Sequence, residues 1–248
     1  MYCLSMENND IYVSRVHPED AKRLEQLTQP KSWDFQQFRK ILIAIGMVGG
    51  GAAIPAPNRP DTIHLQGFRQ YIDNLLTRTK TNGREHAQVV FVDAGRQSLI
   101  MSGKITIGSS IETRLDTTKE PGREKYQRRI GSLHTHPVNG ISITTHGLSG
   151  QDYRTFLGDP EQQMMIVACG ESTLMMVLKT STTPNNLSRN AIDKRIKSCE
   201  QDYLESSGKH PLQKVVDFNK GVCMELGLTM YLANQRNRDL FTRVEVTK

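Results

Sequence analysis

The sequence predicts an α/β domain, a mixed β-sheet flanked by helices, with an N-terminal extension ahead of it. Three observations carry this. Phe68, Tyr71, Ile72, Leu75 and Leu76 fall at i, i+3, i+4, i+7 and i+8, the apolar stripe of an amphipathic helix. Shortly after it, Val89-Val90-Phe91-Val92 is apolar enough for a strand buried on both faces. Strand-like and helix-like stretches then follow one another to the C-terminus, whereas residues 52 to 60 hold three of the ten prolines and read as a linker. The chain is therefore divided into an extension over 1–59 and a domain over 60–248, with a core over 62–180 and C-terminal helices and strands over 188–246.

Taken in order, His17-Pro18-Glu19-Asp20 supplies the proline and acidic residues of a first helical turn and predicts a short helix to Leu27. Ser32 is placed to cap a second helix carrying Phe38, Ile41, Leu42 and Ile45, although Ile41 to Val48 fits a buried strand equally well. Gly49-Gly50-Gly51 ends either element, and it lacks the lysine and hydroxyl that would make it a phosphate loop. In the domain, Thr62 to Leu65 alternates as a short strand, the amphipathic helix stops at Asn82-Gly83, and Ala87 to Val92 is the next strand. Gln97 to Met101 and Lys104 to Ile107 read as two strands turned at Ser102-Gly103, and polar Ser109 to Gln127 reads as an exposed loop. Gln163 to Cys169 and Thr173 to Leu178 make a hairpin around Gly170-Glu171-Ser172. Ser188 caps a helix with Ile192, Ile196, Cys199 and Tyr203 inward. Pro211 opens another, which Gly227 ends. Leu228 to Ala233 and Leu240 to Val246 close the chain as strands.

Composition excludes several classes. The 248 residues carry a formal charge of +6, a modest excess that attracts polyanions only weakly in salt, so nucleic acid is not the expected partner. Cys3, Cys169, Cys199 and Cys223 show no C-x-x-C spacing and read as free thiols in a reducing compartment. The longest uncharged apolar run, Ile41 to Ala56, is too short and too glycine-rich to span a bilayer, and the first ten residues lack the order of a signal peptide. A cytoplasmic protein with no membrane partner is expected.

The chemistry concentrates at Leu133-His134-Thr135-His136-Pro137, followed by Leu148-Ser149-Gly150-Gln151-Asp152. In a strand, His134 and His136 share a face and Thr135 points the other way, while Pro137 ends the ladder. With seven histidines in the chain, a chance His-x-His pair is no rarity, so the pair alone is weak. Ser149-x-x-Asp152 likewise resembles a helix capping box. Together, two imidazoles and one carboxylate make the three-ligand set of a catalytic zinc site that leaves its fourth position to water. Glu85, just ahead of the buried strand, is a candidate base, with a solvated residue after a turn as the alternative.

Seen whole, Glu85, His134-Thr135-His136-Pro137 and Ser149-Gly150-Gln151-Asp152 resemble the signature of the JAMM, or MPN-plus, metalloproteases, over roughly Thr62 to Thr180. The resemblance implies a cytidine-deaminase-like, JAB-type fold. It implies that His134, His136 and Asp152 bind zinc, that Glu85 activates water, and that Ser149 helps hold the oxyanion. It further implies hydrolysis of an amide bond at the C-terminal tail of a ubiquitin-like protein or its conjugate. The alternatives are a RadC-like, DNA-associated JAB protein, whose His-Asn-His-Pro is not matched here, and a non-catalytic scaffold of the same fold.

One departure stands out. Twelve residues separate His136 from Ser149, more than is usual in the family. The lengthened 138–147 loop brings in His146, which either approaches the metal or substrate or, the reading preferred here, lies on the surface of a tolerant loop. Arg123, Lys125, Arg128 and Arg129 form either a solvated face or a basic rim for an acidic part of the substrate.

Overall fold

The structure, a computed structural model, describes residues 2–7, 10–15, 59–93, 98–108, 115, 127–137, 146–170, 173–184, 187–205, 210–234 and 237–246. The helices expected between residues 17 and 48, the triple glycine, and most of the 109–126 and 138–145 stretches lie outside them. A first pair of strands, β1 (Tyr2–Glu7) and β2 (Asp10–Arg15), forms a two-stranded antiparallel sheet that the sequence reading did not anticipate.

Among the described residues, nine further strands form one sheet. They are β3 (Thr62–His64), β4 (His86–Asp93), β5 (Ser98–Met101), β6 (Thr106–Ile107), β7 (Gln127–His136), β8 (Met164–Cys169), β9 (Thr173–Lys179), β10 (Leu228–Asn234) and β11 (Asn237–Arg243). Eight run in the order β3-β11-β10-β9-β8-β7-β4-β5, and β6 pairs with β4. All neighbours are antiparallel except β7 and β8, so the sheet is mixed, as predicted. Parallel neighbours need a crossover, and here it carries α2 (Gly150–Gly158). A crossover helix begins beyond the carboxyl end of the strand that precedes it. The first turn of α2 therefore arrives where His136 ends β7.

Each face of the sheet has its own core. On one lies α1 (Gln66–Asn82), whose buried Phe68, Ile72 and Leu75 pack with Leu133, Ile166, Met176 and Tyr231. Each such burial contributes about 1.5–3 kcal/mol. Gly83, at φ 67°, stops the helix and returns its N–H to the Thr79 carbonyl, as the Asn-Gly pair predicts. The other face is covered by α2, α3 (Arg189–Glu205) and α4 (Pro211–Glu225), through Tyr153, Phe156, Ile196 and Val222 against Met165, Val167, Met175 and Val177. Ser188 accepts the Ala191 N–H in its expected capping place, and the His210 side chain caps α4. Among the described residues no helix is long and apolar enough to cross a membrane.

Two strand expectations need correction. Ser102-Gly103 does not turn a hairpin, because β5 and β6 both pair with β4, at Val90–Asp93 and at His86–Ala87. They form one interrupted edge strand. Ser102 bridges the break, its N–H donating to the Val89 carbonyl and its hydroxyl oxygen accepting the Val89 N–H. The last strand spans Asn237–Arg243 rather than Leu240 to Val246, because Leu240, Phe241 and Thr242 must pair with His64, Ile63 and Thr62.

β7 holds the feature that orients the site. Val90 pairs with Gly131 and Phe91 with Arg129, so Ile130 is an extra residue, a β-bulge. Ile130 and Leu133 consequently face the same core although an odd number of residues apart. Beside the bulge, a Cβ on Gly131 would stand 2.3 Å from the Met164 carbonyl oxygen, so the close approach of β7 to β8 requires glycine.

Candidate metal centre

Downstream of the bulge, Leu133 and Thr135 point toward α1 and His134 and His136 toward α2. Both imidazoles are buried, with their Nε2 atoms 3.2 Å apart. Asp152, in the first turn of α2, brings Oδ1 to 3.2 Å from His134 Nε2 and Oδ2 to 3.4 Å from His136 Nε2. The three ligand atoms lie within 4.8 Å of one another, and among the described residues no other group of His, Cys, Asp and Glu is so placed.

This spacing fits a cation. Around an ion with metal–nitrogen bonds of about 2.0–2.1 Å, two tetrahedral ligands stand about 3.3 Å apart. The 3.2 Å between the two imidazole nitrogens matches that edge, and Asp152 brings one carboxylate oxygen to 3.2 Å from the first imidazole and the other to 3.4 Å from the second. Two imidazole nitrogens at such a distance repel unless a proton or a metal ion lies between them.

The electrostatics point the same way. Burial opposes a charge on His136, yet hydrogen bonding to Asp152 and then to Cys169 raises its pKa well above the ordinary value. Burial also opposes the Asp152 charge, but the fields and hydrogen bonds of His134 and His136 hold its carboxyl well below the usual range. Cys169, at the end of β8, sets its sulfur 3.8 Å from His136 Nδ1 and 3.9 Å from the Gly147 carbonyl. Burial pushes that thiol up, so it stays protonated behind the ligand.

The capping box is present in full. Ser149 Oγ accepts the Asp152 N–H at 3.2 Å, while Asp152 Oδ2 accepts the Ser149 N–H and hydroxyl, both at 2.7 Å. The cap thus orients the ligand, fixing one carboxylate oxygen to the helix end and turning the other to His134. In this arrangement the Ser149 hydroxyl is donated to Asp152.

Glu85, between α1 and β4, is buried, with Oε1 3.9 Å from His136 Nε2. It stands beside the ligand group and outside it. A groove of about 720 Å³ opens next to His136 and Pro137, bordered by Thr77 and Lys80 on α1, by Gly83 just after it, by Gly170 after β8 and by Arg238 on β11. It lies at the carboxyl ends of the parallel pair, where ligands of α/β sheets are generally bound.

One expectation about the surroundings is corrected. His146 is buried rather than on the surface, because residues 146–148 tuck under the sheet where Gly147 meets Val215 and Asn219 of α4. His146 does not join the ligand group. Arg129 lies 2.5 Å from Asp159 and 3.3 Å from Glu161, so it is an ion-pair member more than an open rim, while Arg128 is exposed. Arg123 and Lys125 lie outside the described residues. The sequence reading missed Cys169 as a neighbour of His136, and missed a buried cluster of Thr79, His86 and Thr135 behind the site. For Cys169 a signal existed: it occupies the last position of an apolar strand, on the same side as Met165 and Val167.

No protein-family model matches this chain, and comparison with curated proteins finds no match.

Proposed function

We propose that the chain is a zinc-dependent peptidase of the JAMM kind, with the cytidine-deaminase-like, JAB-type fold. Its reaction is hydrolysis of the amide bond at the C-terminal tail of a ubiquitin-like protein or its conjugate. The observation that carries the reading is Glu85: a buried carboxylate 3.9 Å from a ligand nitrogen, outside the ligand set, where a general base is needed. His134, His136 and Asp152 are the residues to hold zinc, a donor set of two nitrogens and one oxygen that suits it. Zinc there supplies Lewis acidity and makes water nucleophilic near neutral pH.

The remaining work falls to the chain. Glu85 takes the proton of the attacking water and returns it to the leaving amine. The Ser149 hydroxyl turns from Asp152 toward the developing oxyanion. The groove beside His136, Pro137 and Gly170 receives the extended tail and brings its amide to the ligand group.

The test begins with metal content. Protein purified without added metal is expected to carry about one zinc per chain, lost in His136→Ala and in Asp152→Ala, with both variants folded by circular dichroism. It is then assayed on ubiquitin-like fusions, with Glu85→Gln as the inactive control. A chain that takes up no zinc when zinc is supplied is a scaffold of this fold. One that holds zinc, cleaves no fusion and is retained on DNA in a salt-dependent way is the RadC-like alternative.

A further inference from the structure

We propose that His86, clamped by Thr79, Asn82 and Thr135, is a positioning residue that fixes Glu85 relative to the paired imidazoles. The inference rests on Glu85 acting as the base. The cluster lies on the face of β7 opposite the ligands, where α1, β4 and β7 meet, and Thr79, His86 and Thr135 are all buried.

Its protons can be assigned from geometry. The Arg84 N–H donates to Asn82 Oδ1 at 3.0 Å, which fixes that amide with Nδ2 toward His86 Nε2 at 3.3 Å. Nε2 must then accept, and the ring proton sits on Nδ1. From there it donates to the Arg84 carbonyl at 3.0 Å, with Thr79 Oγ1 also 3.0 Å away. The Thr79 hydroxyl donates to Thr135 Oγ1. Thr135 in turn donates to the His86 carbonyl at 3.2 Å and accepts the His86 N–H at 3.1 Å. Each of these hydrogens has an acceptor only in the neutral, Nδ1-protonated form. A proton on Nε2 would face the Asn82 amide hydrogens. Burial also lowers the pKa of the ring; the hydrogen bond to the Arg84 carbonyl opposes this, and the charges of Arg78 and Arg84 add to the lowering.

The clamp grips the chain on both sides of Glu85. The N–H and carbonyl of Arg84 are held from one side, and those of His86 from the other. The Glu85 carbonyl itself accepts the Gly108 N–H at 2.9 Å. Through Thr135 this fixed turn is tied to the residue between the two ligands. Because a displacement of about 1 Å in a reacting group can cost a hundredfold in rate, such a tie controls turnover without touching substrate or metal.

The test compares His86→Leu, which removes the ring's donor, with His86→Asn, which keeps a donor at the δ position, and Thr79→Val. Zinc content, kcat and KM are measured on a ubiquitin-like fusion that the wild-type protein cleaves, and the tautomer is read from imidazole 15N shifts. The expected result is a neutral, Nδ1-protonated His86 at pH 7. In His86→Leu kcat falls by at least about tenfold with zinc and KM unchanged, and His86→Asn recovers to within about threefold. An Nε2-protonated ring, equal losses in the Leu and Asn variants, or zinc lost in step with rate would overturn it. If the wild-type protein cleaves no fusion, the proposed function fails, and the clamp is judged by the tautomer and by amide exchange. Exchange at residues 84–87 must then quicken at least about tenfold in His86→Leu with β8 and β9 unchanged, and exchange that does not change overturns it.

Discussion

The two faces of β7 pair their polar groups in opposite ways. Toward α2, two imidazole nitrogens 3.2 Å apart and a carboxylate within 3.4 Å converge on one point, and the set is completed only by a proton or a cation. Toward α1, Thr135 meets Thr79 and His86, and donors and acceptors satisfy one another without any guest. The same strand therefore carries an open cluster and a closed one at alternate positions. Buried polar groups that cannot satisfy each other mark where chemistry is expected, and those that can mark where a fold is being held.

The contrast breaks first at the ligands. His136→Ala or Asp152→Ala is expected to abolish zinc retention measured by metal analysis, whereas Thr135→Val keeps zinc. Next comes Glu85→Gln, which should keep the metal and lower turnover by about 10²–10⁴-fold, separating the base from the ligands.

A pH titration sharpens the comparison, since among the described residues only the α2 face carries a donor set fit for a metal ion. In the metal-free protein, the depressed Asp152 contributes stability that is present above the ordinary carboxylate value and lost as pH falls through its own value. The raised His136 contributes stability that is full below the ordinary imidazole value and lost as pH rises through its own value. Metal-free protein should therefore hold both contributions between about pH 4 and 6.5 and lose the His136 share on the alkaline side, as urea midpoints would record. If zinc is the ion, as proposed above, its affinity is expected to run the other way. Binding expels the His136 proton, so competition with a chelator should show affinity rising by up to about tenfold per pH unit while that proton remains.

Smaller effects belong to the scaffold. Gly131→Ala drives a Cβ against the Met164 carbonyl and should cost about 1–3 kcal/mol, read from the urea midpoint. Arg129→Gln breaks pairs with Asp159 and Glu161 and should cost no more than about 1 kcal/mol, with zinc content unchanged. A loss of zinc in the Arg129 variant would mean that the rim and the ligand face are coupled.

Much of the layout was legible because single residues impose it. The i, i+3, i+4 stripe from Phe68 to Leu76, the left-handed Gly83 and the Ser149 cap each follow from local rules that act within a few residues. The mixed α/β class and the buried β4, β8 and β9 followed from apolar runs. What was not legible depends on partners distant in sequence. The bounds of β11 are set by pairing with Thr62 to His64, and the joining of β5 and β6 by the ladder of β4. His146 is buried next to Gly147, which abuts Val215 and Asn219 of α4, and nothing within the loop announces it. Thr79 sits on the helix among the exposed Thr77, Arg78, Lys80 and Thr81, and only the fold shows that it turns inward to His86.

The extra residue at Ile130 has a consequence for how this chain can change over time. Pairing counts one way before it and the other way after it, and the later count is anchored by the parallel ladder from Gly131–Met164 to His136–Cys169. A single-residue slip in an uninterrupted strand would exchange its faces. Here the irregularity absorbs a gain or loss of length at the entrance of the strand, so the preceding loop is free to drift in size while the imidazoles keep their orientation. Within ten residues of one strand, the phase of the imidazoles is thus set by the ladder that follows Gly131 and not by the length of what precedes it.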